Sequence, residues 1–145
     1  MNYEALPQYW INRLSFILRK ELSHKFKEKG FSISGEEWGM LLHLWQQDGR
    51  SPSELADQTI RDRTTVTRLI DGMVKKDFVT REIDSNDRRR SLIFLTQYGQ
   101  SLQQKLVPIA QELIHQSLKG ISEEDLNQAV RVMKQMAENL LESTA

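Results

Sequence analysis

The apolar residues change period near residue 77, and that change limits the fold more than any other feature. Before it, Val66, Leu69, Ile70 and Met73 recur at spacings of three, one and three, the stripe of a half-buried helix. After it come two short runs of β formers, Phe78-Val79-Thr80-Arg81-Glu82-Ile83 and Ser91-Leu92-Ile93-Phe94-Leu95. The turn cluster Asp84-Ser85-Asn86-Asp87 separates them, which predicts a β-hairpin with a charged loop. Helical signals precede and follow this segment, so the chain is mainly α with one small hairpin.

The helix boundaries are marked chemically. Trp10, Leu14, Ile17, Leu18, Leu22 and Phe26 predict a first helix that Gly30 ends. Ser34-x-x-Glu37 is a capping box opening a second, whose apolar face is Trp38, Leu41, Leu42 and Trp45 and which Asp48-Gly49 closes. Ser51-Pro52-Ser53-Glu54 repeats the signal: Ser51 caps, Pro52 suits the first helical position, and Glu54 is expected to complete a second box. Asp62 is a third cap. Thr96 and Ser122 cap two further helices, the first with an expected kink at Pro108 and an end at Gly120.

Composition excludes several classes of function. There is no Cys, so disulfides, cysteine nucleophiles, Cys-containing zinc sites and thiol redox sensing are absent. His24, His43 and His115 are scattered and show no metal-ligand spacing, and no cofactor or metal is expected. No Gly-rich phosphate loop, nucleophile elbow or His-Glu-x-x-His motif occurs, so the chain does not read as an enzyme. Asp84 and Asp87 are explained by capping or by pairing with nearby Arg. No apolar run approaches a membrane span and Met1–Lys20 does not read as a signal peptide, which makes the cytoplasm the expected compartment. Twenty basic and twenty acidic residues cancel, yet residues 61–90 hold nine basic against six acidic, and residues 1–30 six against three. A local patch matters more than the sum when a phosphate backbone approaches.

A short capped helix, a turn, a second helix and a charged hairpin together describe a winged helix-turn-helix. On the second helix Thr64, Arg68, Asp71 and Lys75 face away from the apolar stripe, with Thr65 and Thr67 on the flanks. Arg suits guanine, and Thr offers a hydroxyl or a contact for the thymine methyl. The helix start near Arg63 suits a phosphate. Asp71 is expected to orient Arg68 or Lys75. In the loop, Arg88, Arg89 and Arg90 suit a narrow A·T-rich minor groove. The expected DNA-facing set is Ser51, Arg63, Thr64, Thr65, Thr67, Arg68, Asp87, Arg88, Arg89 and Arg90. Each feature alone has another reading: a Thr-rich face can be merely solvated, and an Arg-rich turn can guard a strand edge.

Ser53-Glu54-Leu55-Ala56, Asp62-Arg63-Thr64-Thr65-Val66-Thr67-Arg68-Leu69-Ile70, Asp87-Arg88-Arg89 and Leu95-Thr96-x-x-Gly99 resemble the signature of the MarR (multiple-antibiotic-resistance regulator) family. The resemblance covers nearly the whole chain. It implies a homodimer whose N- and C-terminal helices interlock, with two winged domains on a pseudo-palindromic operator. Residues 31–95 would be the DNA-binding domain, and 1–30 with 96–145 the helical dimerisation region. It implies repression relieved by a small, often aromatic, ligand. Carried over by position, Arg63, Thr64, Thr65, Thr67 and Arg68 match the recognition helix. Asp87 and Arg89 match the wing pair, in which the Asp steadies the loop and the Arg enters the minor groove. Without Cys, the redox-sensing branch of the family is excluded. Candidate ligand contacts are Trp10, Arg13, Ile17, Trp38, Leu42 and Trp45, an Arg beside Trp rings being able to hold an aromatic carboxylate. The alternative for Trp38 and Trp45 is a place in the core. The terminal helices carry more apolar side chains than a small winged domain could cover, which independently predicts a dimer, the alternative being an intramolecular helical bundle. Two other functions fit the same residues: an architectural regulator insensitive to ligand, and a protein-interaction module on a winged scaffold that zero net charge favours.

Overall fold

The computed structural model of the chain describes residues 1–143. A single 3-10 turn, Tyr3–Ala5, precedes α1 (Pro7–Glu28), α2 (Gly35–Gln46), α3 (Pro52–Thr59) and α4 (Arg63–Lys75). Strands β1 (Val79–Ile83) and β2 (Ser91–Leu95) follow, then α5 (Gln97–Ser117) and α6 (Glu123–Ser143). The strands form one antiparallel pair in which Val79 faces Leu95 and Ile83 faces Ser91. The fold is therefore mainly α with a two-stranded hairpin, as the change of period predicts.

The caps act where the sequence places them. Ser34 accepts from the Glu37 amide at 3.1 Å while the Glu37 carboxylate takes the Ser34 amide at 2.9 Å, a complete capping box. Ser51 Oγ accepts from the Glu54 amide at 3.1 Å. The second box is not completed, however. The Glu54 carboxylate turns away from the Ser51 amide to pair with Arg90 of the hairpin loop. An arginine supplied by the tertiary fold outcompetes the local amide, since a charge-assisted bond is the stronger of the two. Asp62 caps α4, and Ser122 Oγ accepts from the Asp125 amide at 3.1 Å. α5 runs through Pro108 as one helix.

Two compact units are present, one from Met1 to Leu113 and a second from Ile114 onward. The first is built on one core. Val66, Ile70 and Met73 of α4 are fully buried with Met40, Leu41 and Leu44 of α2 and Leu55 of α3. Leu22 and Phe26 of α1, Ile93 of β2, and Leu102 and Leu106 of α5 join the same cluster. Each such Leu, Ile, Phe or Met contributes about 1.5–3 kcal/mol relative to exposure. The ends of the flanking helices thus form the floor on which the helix-turn-helix stands. Trp38 packs on this core between Phe26 (ring centroids 5.3 Å apart) and Trp45 (5.5 Å), and Trp45 Nε1 donates to the Gly99 carbonyl at 3.0 Å. Those two rings belong to the core.

Candidate nucleic-acid interface

α4 owes its exposed face to its core stripe. With Val66, Ile70 and Met73 buried and Leu69 half-buried, Thr64, Thr67, Arg68, Asp71 and Lys75 are left to solvent. The helix begins where Asp62 Oδ1 accepts from the Thr65 amide at 2.7 Å and Oδ2 from the Thr65 hydroxyl at 3.0 Å. These two bonds, the backbone one first, hold the Asp62 carboxyl below the usual carboxylate range, and the Arg68 charge acts in the same direction. The helix ends at Lys75, and the chain leaves it through Asp77 in the left-handed region at φ +62°, with the Phe78 amide bonded back to the Met73 carbonyl at 2.9 Å. The preceding turn places Ile60 at φ +54°, a strained conformation for a β-branched residue.

The threonines are not equivalent. Thr65 gives its hydroxyl proton to Asp62, and Thr67 gives its own to the Arg63 carbonyl at 2.8 Å. Both keep acceptor lone pairs and a methyl group for an approaching base edge. Thr64 Oγ has no hydrogen-bond partner among the described residues and can donate. Arg63 and Arg68 are exposed and make no ion pair among the described residues. Asp71 does not orient Arg68 or Lys75 as the sequence suggested. It pairs with Arg81 on β1, ten residues away, and so ties the exposed face of α4 to the hairpin. A helical wheel could not reveal this partner, because it lies on another element.

The hairpin loop is held by its own backbone and by two aspartates. The Asp84 amide donates to the Arg90 carbonyl at 2.9 Å, and the Arg90 amide to the Asp87 carbonyl at 3.0 Å. Asp84 Oδ1 accepts from the Asn86 amide at 2.9 Å. Asp87 Oδ1 accepts from the Arg89 amide at 3.0 Å and from Arg89 Nε at 3.3 Å. The Arg89 side chain is nonetheless 92% exposed. Arg88 is exposed and makes no ion pair among the described residues, whereas Arg90 is held by Glu54 of α3. The three consecutive arginines therefore have three different settings.

Between the head of α3, Arg63 and the hairpin loop runs an open groove of about 660 Å³, bordered by Ser51, Glu54, Arg63, Asp87, Arg89 and Arg90 among others. Ser51 borders it but is only 4% exposed, its oxygen engaged as the α3 cap. The ligand candidates divide into two aromatic groups. Trp10, on the outer half of α1, stacks edge-on with Tyr9 (5.3 Å) and donates to the Glu4 carbonyl at 2.9 Å. Arg13, Ile17 and Leu42 are exposed, while Trp38 and Trp45 sit on the core. A cavity that sequence reasoning missed, about 200 Å³, lies between α1, α2 and the α3–α4 turn. Arg19, His43 and Arg61 line it above Met40 and Leu69. Neither arginine has an ion-pair partner among the described residues. Arg19 and Arg61 are 42 positions apart, and no local pattern announces them.

Among the described residues no helix is long and apolar enough to cross a membrane, and no cluster of three or more His, Asp or Glu could hold a metal. The family model for the MarR family matches residues 33–91, which are the α2-to-hairpin segment. The HTH-type transcriptional repressor YetL of Bacillus subtilis is 28% identical over 119 residues, 82% of this chain and 71% of that protein. The organic hydroperoxide resistance transcriptional regulator of the same organism is 28% identical over 134 residues, 89% of this chain and 90% of that one. Among solved structures, the S. aureus MepR–DNA complex aligns with a TM-score of 0.84 at 26% identity, over 93% of this chain and 98% of that chain.

Proposed function

Because this chain belongs to the MarR family of DNA-binding transcriptional regulators, which are not enzymes, we propose that it is a homodimeric repressor of its target genes, acting in the cytoplasm on a pseudo-palindromic operator. Arg63, Thr64, Thr65, Thr67 and Arg68 read base edges in the major groove. Arg89, steadied by Asp87, and Arg88 reach the flanking minor groove. The observation that carries this reading is that Arg63 of α4 and Arg89 of the hairpin border one open groove. A recognition helix and a wing in that relation can grip adjacent grooves of one duplex.

Residues 31–95 serve as the reading domain, and the helices of 1–30 and 96–145 as the dimerisation region. Support for the dimer comes from apolar side chains that stay exposed: Trp10, Leu14 and Ile17 on α1, and Val130, Val132 and Met133 on α6. Faces of this kind are rare on stable monomers. Two-fold symmetry would set the recognition helices about 34 Å apart, one turn of DNA. For relief by a small molecule, our candidate is an aromatic carboxylate in the cavity that Arg19, Glu36 and Arg61 line, where two guanidinium groups face one carboxylate and Met40 and Leu69 supply apolar surface. It borders the turn that leads into the recognition helix. The absence of Cys removes thiol oxidation as the signal.

The test is titration of DNA upstream of the chain's own coding sequence at two salt concentrations, followed by a panel of aromatic carboxylates. A dimer should bind a short pseudo-palindrome, with affinity falling steeply as salt rises. Arg68→Ala should weaken binding by about 1–3 kcal/mol and relax one base position. Specific binding that no compound disturbs would favour a ligand-insensitive architectural regulator. No preference over random DNA at either salt would refute self-regulation, and failure to select any site genome-wide would then remove the assignment.

A further inference from the structure

The hairpin is fastened to the body at its base, by hydrogen bonds and by the Arg81–Asp71 pair to α4, and once more near its tip, by a second ion pair to α3. At the base, the Gly49 amide donates to the Ile93 carbonyl (3.1 Å) and the Ile93 amide to the Arg50 carbonyl (2.8 Å). The Leu95 amide is held by Asp48 Oδ1 at 2.9 Å. Beyond Ile93, β2 runs three residues to Arg90, roughly 10 Å of extended chain, and the loop projects farther still. A two-stranded ribbon is marginal alone and twists readily. On the α3 side, the Arg90–Glu54 pair is what bridges that span among the described residues. Both side chains are under half exposed, and Arg90 also closes the loop through its backbone amide and carbonyl. Its neighbours Arg88 and Arg89 stand free of the body at the tip.

We propose that Glu54 and Arg90 form a brace that sets where the wing tip meets DNA, Arg90 acting as a positioning residue and not as a phosphate or base contact. Glu54 is then a specificity determinant of negative charge at a DNA-facing groove. The brace holds the Arg88–Arg89 tip at a fixed height above the head of α3, so that minor-groove width is read from a fixed point. The inference rests on the DNA-binding reading above.

That role predicts an unusual sign. If Glu54 and Arg90 acted only through charge, Glu54→Gln would tighten DNA binding on every sequence, Arg90→Gln would weaken it, and the effects would add. A brace predicts that both variants lose discrimination between A·T-rich and G·C-rich flanks, roughly two- to five-fold, the range that an exposed ion pair supports. The double variant should be no worse than either single one, a non-additivity expected of partners. The exchange Glu54→Arg with Arg90→Glu should restore part of the discrimination.

The experiment uses the full-length chain and duplexes that the wild type itself selects from a randomised pool, with the half-site cores kept and the flanks changed. Thermal melting of each variant checks folding, and Ser51 still caps α3 in all of them. Lost flank discrimination in Glu54→Gln, with core discrimination kept, is the expected result. Specific binding by the wild type, with Glu54→Gln tighter on all duplexes and Arg90→Gln additive to it, overturns the brace and leaves the DNA reading intact. Failure of the wild type to select any duplex overturns both, because the brace would have nothing to position.

Discussion

Gly99 lies in the first turn of α5, and replacing it with Ala should be among the most damaging single-methyl changes in the chain. A Cβ at this position would sit 2.1 Å from the Phe78 carbonyl oxygen and 3.0 Å from its carbon. Carbon and carbonyl oxygen rarely approach closer than about 3.3 Å, so one backbone must retreat by about 1 Å. Neither is free to do so. The Thr96 amide donates to the Phe78 oxygen at 3.0 Å, its hydroxyl donates to the Asp77 carbonyl at 2.5 Å, and Trp45 Nε1 donates to the Gly99 carbonyl at 3.0 Å. Losing these three bonds costs roughly 1 kcal/mol each, and overpacking adds about 1–3 kcal/mol. The gain in helix propensity returns at most about 1 kcal/mol. The net loss is about 3–5 kcal/mol, against roughly 7–20 kcal/mol for a domain of this length. Thermal denaturation at fixed protein concentration should show Tm lowered by roughly 6–20 °C. The control is Gly72→Ala in α4, where an added Cβ meets nothing within 4 Å. That change should be neutral or stabilising by up to about 1 kcal/mol. A Gly99→Ala protein melting within 2 °C of wild type would refute the reasoning, since both carbonyls would then have moved without loss.

Ile60 holds the helix-turn-helix corner at φ +54° while 84% exposed, so Ile60→Gly should relieve strain with little packing lost and raise stability by about 1 kcal/mol in chemical denaturation. Lys76 Nζ donates to the buried Glu37 carboxylate at 2.9 Å, linking the end of α4 to the start of α2; Lys76→Met leaves that carboxylate only the Ser34 amide and no counter-charge, and should destabilise by roughly 1–3 kcal/mol, with Glu37→Gln in the same background recovering part of it. The Asp62 carboxyl is lowered in the folded state, so its stabilisation of α4 is fully present above the ordinary carboxylate range and is lost as pH falls through the lowered folded value. A carbon-detected titration of Asp62 should show that depressed midpoint, and Asp62→Asn should abolish the acid-side change in the Thr65 amide shift. An Asp62 midpoint at the ordinary value would contradict the cap as drawn.

What the sequence determined is what it encodes within a few residues. Caps at Ser34, Ser51, Asp62, Thr96 and Ser122, the buried stripe of α4 and the turn cluster between two runs of β formers all depend on neighbours at most four positions away. Hydrogen-bond geometry and side-chain period fix such features before any tertiary contact exists. The exposure of Arg63, Thr64 and Arg68 follows from the same helical period, and that of Arg88 and Arg89 from their place in the turn cluster. The tertiary structure decided the partners of long charged side chains. Glu54 leaves a local capping box for Arg90, 36 residues on; Asp71 takes Arg81; Glu37 takes Lys76, 39 residues on. It also gathered Arg19 and Arg61 at one cavity and set Gly99 against Phe78. A flexible side chain with several cations within its reach has no preferred partner until the backbones are placed. Only then does Coulomb attraction, weak at a distance and screened by water, select one.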